Sequence, residues 1–302
     1  MITGLILSLI VGILWSFVGI FYKLMAKYNL SVFNIGLAGS AFSFVITLTF
    51  VTKTGALWTG AIERPGWGYI LFVLAAAFIN SAGSLILQRS MVHGKSGVTW
   101  AIGQSALIVP FLSITLIFGE PWNVIKIGGT LAVIAGMAVL GMRPAGKDER
   151  IPRPVYGVIL AFTAFLVLGV AQSMTSATSY LSYEDKGDIR PFLAVIGGAL
   201  ATVSGKFLLK DYGFRLDRKA IIIIVLMSVQ GVIATWLSYL AMDRLKEVGM
   251  NGVFFPIAVG MCIAGYSIYS VLFFKEKANR FLVFGTIAIL AGIAAYCAAA
   301  AG

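Results

Sequence analysis

Long apolar runs separated by short polar stretches fill almost the whole chain. Ten of these runs have about the 20 residues that an α-helix needs to cross a bilayer. They lack the alternating polarity that is typical of membrane β-barrel strands. The pattern therefore predicts an all-α membrane protein with ten transmembrane helices, at 2–26, 31–52, 68–91, 97–118, 123–142, 155–181, 190–210, 220–243, 249–274 and 280–300.

Composition agrees with this interpretation. Hydrophobic residues make up 59% of the chain and charged residues 12%, whereas soluble domains have roughly 45–50% and about 25%. Cys262 and Cys297 stand singly within apolar runs, which predicts small packed side chains and gives no information on the redox compartment. The sequence contains no metal-ligand cluster and no nucleotide-binding loop, so it predicts neither a metal nor a cofactor.

A short pattern near the middle of the chain returns near its end. Glu120 and Glu276 each follow an apolar run, and in both copies Asn comes three residues later and Gly-Thr nine and ten residues later. The constant offset of 156 residues predicts two homologous five-helix halves, 1–142 and 155–302, joined by a polar linker at 143–154. Because five is an odd number, the second half must enter the membrane upside down, as an inverted repeat.

The basic residues predict the orientation of the chain. The net charge is +11, and sixteen of the Lys and Arg residues fall on the side that the chain reaches after odd-numbered helices, against seven on the other side. The positive-inside rule then places both termini outside the cytoplasm. Bases at helix ends beside lipid explain the charge, so nucleic acid is not an expected partner.

The arrangement resembles that of a known transporter group. Two five-helix halves, a short Arg-containing link into the fourth segment, and Glu at the end of that segment resemble the drug/metabolite transporter superfamily in its ten-helix form. The stretch from Gln104 to Trp122 is similar to the glucose/ribose and rhamnose porter branches. The proline that many members carry about a dozen residues before the Glu is missing. The resemblance implies a secondary transporter that works by alternating access in a bacterial inner membrane.

Amides, hydroxyls and large aromatics lie at mid-depth in the predicted helices, where carboxylates are absent. These residues fit interhelical hydrogen bonds, worth about 0.6–2 kcal/mol each, or contacts with a solute. Several amides together with central tryptophans favour a neutral, hydroxyl-rich solute, with sugar or polyol slightly ahead of amino acid or other metabolite. The predicted solute-contacting residues are Trp15, Asn80, Gln88, Trp100, Gln104, Gln172, Ser176, Gln230 and Tyr239.

Some features predict packing, bending and coupling. Small residues at a spacing of four, Gly4 to Ser16 and Gly128 to Gly136, predict close helix packing. Pro256 predicts either a hinge or a static kink in the ninth segment. Glu120 and Glu276 are expected to mark segment ends and to pair locally. With no carboxylate at mid-depth, transport should proceed by facilitated diffusion, by exchange or with an ion held by backbone and hydroxyl oxygens.

Two other classes of function are an intramembrane enzyme and a channel-like or structural membrane protein. The stretch 94–97 fits the GxSG pattern of rhomboid proteases, but His93 is the only histidine and lies in the same connection as Ser96. A buried Ser/His dyad on facing helices cannot form, so no enzymatic activity is predicted. A channel-like protein would show flux that does not saturate. The sequence leaves open the solute, the direction of transport, the coupling ion and the oligomeric state.

The orientation can be tested with a reporter fused after Gly302. Because the basic residues are concentrated on one side, we expect the C-terminus to lie outside the cytoplasm. Alkaline phosphatase, which is active only outside the cytoplasm, should therefore be active when fused there. Alkaline phosphatase and green fluorescent protein fusions measure the two outcomes. A fluorescent, phosphatase-inactive C-terminus would invert the orientation.

Overall fold

The computed structural model describes residues 1–28, 30–51, 66–94, 96–142, 153–181, 186–208, 217–274 and 278–301. These residues are helical and contain no strand. Most of the linker (143–152), Glu276 and Gly302 lie outside them. The α-helices are α1 Ile2–Lys27, α2 Val32–Ile46, α3 Trp67–His93, α4 Ser96–Gln104, α5 Ile108–Phe118, α6 Val124–Gly141, α7 Pro154–Ala177, α8 Lys186–Leu208, α9 Arg218–Lys246, α10 Phe254–Phe274 and α11 Arg280–Ala301.

The helices have the lengths and surfaces of membrane spans. Within the described residues, nine helical stretches are long and apolar enough to cross a bilayer, and Phe33–Thr49 is a shorter apolar helix. Large apolar side chains on the outside, such as Leu116 (79% exposed) and Phe284 (65%), give the bundle a surface suited to lipid. The prediction of an all-α integral membrane protein is confirmed.

Two of the predicted segments stay helical but include a 3-10 turn. In the fourth, the 3-10 turn Ser105–Leu107 separates α4 from α5, and in the ninth the 3-10 turn Asn251–Val253 precedes α10. Pro256 is the third residue of α10, so its missing N–H falls in the first turn, where no intrahelical bond would form. The 3-10 turn of the ninth segment therefore precedes Pro256, and the sequence does not predict the 3-10 turn of the fourth segment.

The repeated asparagines cap equivalent helices. Asn123 precedes α6, and its side chain accepts a hydrogen bond from the backbone N–H of Lys126 at 2.8 Å. Asn279 precedes α11 and accepts from the N–H of Leu282 at 2.9 Å. An Asn side chain at this position satisfies a backbone donor that has no partner within the helix. The Asn of the repeated pattern therefore begins the fifth helix of each half.

Glycines bring α6 and α11 into backbone contact. A Cβ atom built on Gly129 would lie 3.0 Å from the carbonyl oxygen of Gly292, and one on Gly292 would lie 2.6 Å from that of Gly129. Gly136 and Gly285 face each other in the same way, at 2.6 and 2.8 Å. The earlier residue of one helix thus meets the later residue of the other. The two helices run antiparallel, and the contacts pair equivalent residues reciprocally.

The predicted seams of small residues are only partly confirmed. Gly12 lies against α10, because an added Cβ would come within 2.6 Å of the carbonyl oxygen of Ala258. Gly136 likewise lies in a tight contact, but nothing lies within 4 Å of a Cβ on Gly128. The seam of α6 therefore runs through Gly129 and Gly136, and Gly128 was assigned wrongly.

This difference supplies a matched pair of variants. Gly136→Ala places a methyl against the Gly285 carbonyl and should lower stability by about 1–3 kcal/mol through overpacking. Gly128→Ala, in the same helix, meets open space and should leave stability unchanged or slightly raise it. Thermal unfolding of the purified proteins in detergent measures both effects. Equal melting temperatures for the two variants would contradict the α6–α11 contact.

Candidate functional site

A buried glutamate joins the two halves at one end of the bundle. Gly119 ends α5 in the left-handed conformation (φ 70°), and Glu120 then turns inward and is 7% exposed. Its Oε1 accepts a hydrogen bond from the backbone N–H of Asn251 at 2.7 Å, and its Oε2 accepts from that of Gly252 at 3.0 Å. The Tyr180 hydroxyl also donates to Oε1. The expectation that Glu120 pairs only locally is therefore wrong.

The contact has a clear physical basis. Asn251 and Gly252 begin the 3-10 turn before α10, and N–H groups at a helix start have no acceptor in their own helix. The partial positive charge there attracts an anion, and charge-assisted hydrogen bonds are stronger than neutral ones. Glu120 thus acts as a cap supplied by a distant part of the chain.

Lys126 ties together the two loops beside this cap. Its Nζ donates to the carbonyl oxygens of Pro121 at 2.6 Å and Gly249 at 2.9 Å, and the residue is 6% exposed. Gly249 has φ 64°, a backbone conformation that residues other than glycine rarely adopt. The turn at Gly249 directs its carbonyl to Lys126 and leads the chain into Asn251.

Tyr180 is fixed by a ring contact and by its hydroxyl. It follows α7 and stacks on Phe118 with ring centroids 4.4 Å apart. Burial, together with the hydrogen bond to Glu120, raises the pKa of Tyr180 well above its usual 10.0. The hydroxyl therefore remains protonated, and able to donate, at all physiological pH values.

An ion pair lies beside the cap. Arg190, in α8, is 0% exposed. Its Nη1 donates a hydrogen bond to Oδ1 of Asp243 in α9 at 3.1 Å, and its Nη2 donates to Oδ2 of the same carboxylate. Nη1 also approaches Thr178 Oγ1 at 3.3 Å, and the guanidinium carbon lies 4.6 Å from the ring centre of Tyr239. The ends of α7, α8 and α9 are thereby held together. In the sequence, Arg190 is one of the seven Lys and Arg residues on the less basic side, and nothing there predicts this ion pair.

Two buried oxygens near this network have no donor within the described residues. Asn251 is 0% exposed, and its Nδ2 donates to the Ser176 carbonyl at 3.1 Å, but its Oδ1 has no hydrogen-bond partner. Gln172, one turn before Ser176 on α7, is 6% exposed and its Oε1 also has none. An unsatisfied buried acceptor costs about 1–3 kcal/mol. Both oxygens are therefore candidates for bonding a solute.

Some predicted site residues make interhelical bonds instead. Gln88 donates from Nε2 to the Tyr22 hydroxyl at 2.8 Å, and Gln230 donates to the Leu14 carbonyl at 3.0 Å. Gln88 and Gln230 therefore make interhelical hydrogen bonds, the alternative to solute contacts that the sequence left open for the amides. Gln104 is the last residue of α4, directly before the 3-10 turn Ser105–Leu107. Gln104 and Asn80 are both half-buried.

The aromatic residues fall into different environments. Trp100 packs with an apolar cluster that includes Leu87 and Leu168. Trp15 contacts Phe254 and Phe255 at the start of α10, with ring centroids 6.2 and 6.4 Å apart. Of the nine predicted solute-contacting residues, Ser176 and Tyr239 touch the network around Glu120 and Arg190, and Gln172 lies one turn away.

Sequence reasoning missed most of this network. Glu120 was marked by the repeat, but Tyr180, Arg190, Asp243 and Asn251 lie in or near connections, where charges and amides are common. The counterpart of Asn251 at the 155-residue offset is Ser96, so the repeat did not mark Asn251 either.

The described residues also form an open groove of about 210 Å³ between α5 and α6. Its walls include Phe111, Leu112, Leu116 and Leu131, and none of the predicted solute-contacting residues lines it. Leu112 and Leu116 are exposed on the lipid-facing surface. The groove is a feature of that surface, separate from the buried polar network.

Comparison with known proteins supports the fold. No family model and no curated protein matches the sequence. Solved structures do match: one, described only as a crystal structure of a protein, superposes with a TM-score of 0.73 over 97% of this chain and 97% of that chain, at 13% identity. At this identity the likeness shows a shared fold alone.

The buried ion pair can be tested against an exposed one. Arg190→Gln leaves Asp243 without its partner; because the Asp243 side chain is 30% exposed and can be hydrated, we expect a loss of about 1–3 kcal/mol, below the value for a fully buried pair. Arg244 pairs with Glu247 at 3.2 Å, with both side chains more than half exposed, so Arg244→Gln should cost at most about 1 kcal/mol. Thermal unfolding in detergent measures the difference. A similar small effect in both variants would refute a structural role for the buried pair.

Proposed function

We propose that the protein is a secondary transporter of the drug/metabolite superfamily that moves a small polar organic solute across the bacterial cytoplasmic membrane by alternating access. The solute is an uncharged molecule rich in hydrogen-bond donors, with sugar or polyol slightly favoured. The protein works as a carrier rather than as an enzyme, a channel or a structural membrane protein, and needs no cofactor.

The observation that carries this proposal is the pair of unsatisfied acceptors, Gln172 Oε1 and Asn251 Oδ1. A solute hydroxyl donating to either oxygen would recover a hydrogen bond that the unoccupied protein lacks. Ser176 lies next to both, because its carbonyl binds Asn251 and it follows Gln172 by one helical turn.

The organisation of the helices supports alternating access. Asn123 and Asn279 cap equivalent helices of the two halves. The glycine contacts pair equivalent positions reciprocally, and α6 and α11 run antiparallel. This is the relation expected of inverted repeats.

A second candidate is an amino-acid or other metabolite exporter of the same superfamily. An ammonium group could donate to the same two acceptors. A carboxylate, however, would need a positive partner, and the buried Arg190 is neutralised by Asp243. This pairing favours the uncharged solute.

Uptake by proteoliposomes tests the proposal. Among labelled polyols, sugars, nucleosides and amino acids, we expect saturable uptake of an uncharged, hydroxyl-rich solute. Gln172→Ala removes one hydrogen bond of about 0.5–1.5 kcal/mol and should raise the solute KM about 2–12-fold, with little change in the amount of folded protein.

Thr163→Val is the matched control, because Thr163 is an exposed residue of the same helix whose hydroxyl bonds the Ile159 carbonyl. It should leave KM unchanged. Flux that does not saturate would indicate a channel, and a normal KM in Gln172→Ala would remove Gln172 from the site. Accumulation driven by an imposed proton gradient would refute the expectation that no proton is coupled.

A further inference from the structure

The hydrogen bonds of Glu120 connect the two halves, whereas those of Arg190 do not. Glu120 belongs to the first half, and its three donors, on Tyr180, Asn251 and Gly252, belong to the second. Arg190 and Asp243 both lie in the second half. α6 and α11 also join the halves through backbone contacts, so the halves do not move apart as two rigid bodies. A movement that opens this end alone leaves the ion pair intact but breaks the bonds of Glu120.

We propose that Glu120 is the closure of one end of the solute pathway: its carboxylate caps the start of α10 when that end is shut and releases it when that end opens. The proposal rests on the transport function proposed above. The charge distribution predicts that this end faces away from the cytoplasm.

The closure is built to form and break. The two glycines with positive φ among the described residues, Gly119 and Gly249, lie immediately before the cap on one side and two residues before Asn251 on the other. They shape the turns that bring the carboxylate and the helix start together. Lys126 adds a second bond across the halves, to the Gly249 carbonyl. On opening, water can replace the partners of these groups, because they lie at helix ends and not in mid-membrane.

Asn251 connects the closure to the proposed solute site. Its backbone N–H binds Glu120, its Nδ2 binds the Ser176 carbonyl, and its Oδ1 is an unsatisfied acceptor. A solute that donates to Oδ1 therefore bonds the same residue that Glu120 holds. A bound solute and the Glu120 carboxylate therefore both interact with Asn251, the solute through its side-chain Oδ1 and Glu120 through its backbone N–H.

Accessibility of a cysteine behind the closure tests the proposal without any solute. Ser176→Cys, in a background of Cys262→Ala and Cys297→Ala, provides one thiol at a position that is 0% exposed. A membrane-impermeant methanethiosulfonate is applied separately to each face of membrane vesicles. Glu247→Cys, at an exposed position of the same end, identifies the face on which Glu120 lies.

Glu120→Gln keeps the shape of the side chain but loses its charge and one acceptor oxygen. We expect it to raise the labelling rate of the Ser176→Cys thiol about tenfold from the Glu120 face, equivalent to about 1.4 kcal/mol in the open–closed equilibrium, and not to raise it from the other face. Tyr180→Phe removes one donor while keeping the ring stacked on Phe118, and should give a smaller rise on the same face. This milder variant also serves if Glu120→Gln does not fold.

Two glutamate variants are the controls. Glu247→Gln changes an exposed carboxylate at the same end, and Glu276→Gln changes the sequence counterpart of Glu120, which lies outside the described residues. Neither should raise labelling from the Glu120 face. An unchanged rate in both Glu120→Gln and Tyr180→Phe, or an equal rise from both faces, would overturn the closure. A one-sided rise in a protein without solute uptake would retain the closure and reject the transport function.

Discussion

Hydrocarbon offers no hydrogen-bond partner, so each polar group of this bundle must find one within the protein or at its ends. The long helices satisfy most backbone groups internally. The helix starts do not, and side chains supply the acceptors: Asn123 and Asn279 from adjacent positions, and Glu120 from 131 residues away. The contact between the halves at this end thus depends on the need of one helix start for an acceptor.

Lipid also removes most of the hydrophobic drive for helix association, because the tails are as apolar as the side chains. Close packing then decides which helices meet, and the glycines of α6 and α11 permit backbone contact. The two halves are not identical there. Tyr296 donates to Thr130 at 2.7 Å, but its counterpart at the 156-residue offset is Leu140. Among the described residues, the Thr286 hydroxyl has no hydrogen-bond partner. α6 and α11 therefore share a packing scheme but differ in its polar contacts.

The buried charges occur where hydration can be exchanged for protein contacts. Glu120, Lys126 and Arg190 are each less than a tenth exposed, yet all lie near helix ends. There they can be hydrated when the contacts break, which is costly to arrange at mid-membrane. The amides and hydroxyls farther in carry no charge, so Gln172 can keep an unsatisfied acceptor at a moderate cost.

The sequence alone determined the long helices, their membrane character and most of their boundaries, because hydrophobic length is encoded by neighbouring residues. It marked Asn123 and Asn279 through the repeat, but only the structure showed that they cap helices. It also marked Glu120 through the repeat. Only the tertiary structure decided that Glu120 binds Asn251 and Gly252, that Arg190 is buried against Asp243, and that Gly129 rather than Gly128 faces α11. These outcomes depend on how distant helices rotate and approach one another, and a pattern of local residue types does not specify that rotation.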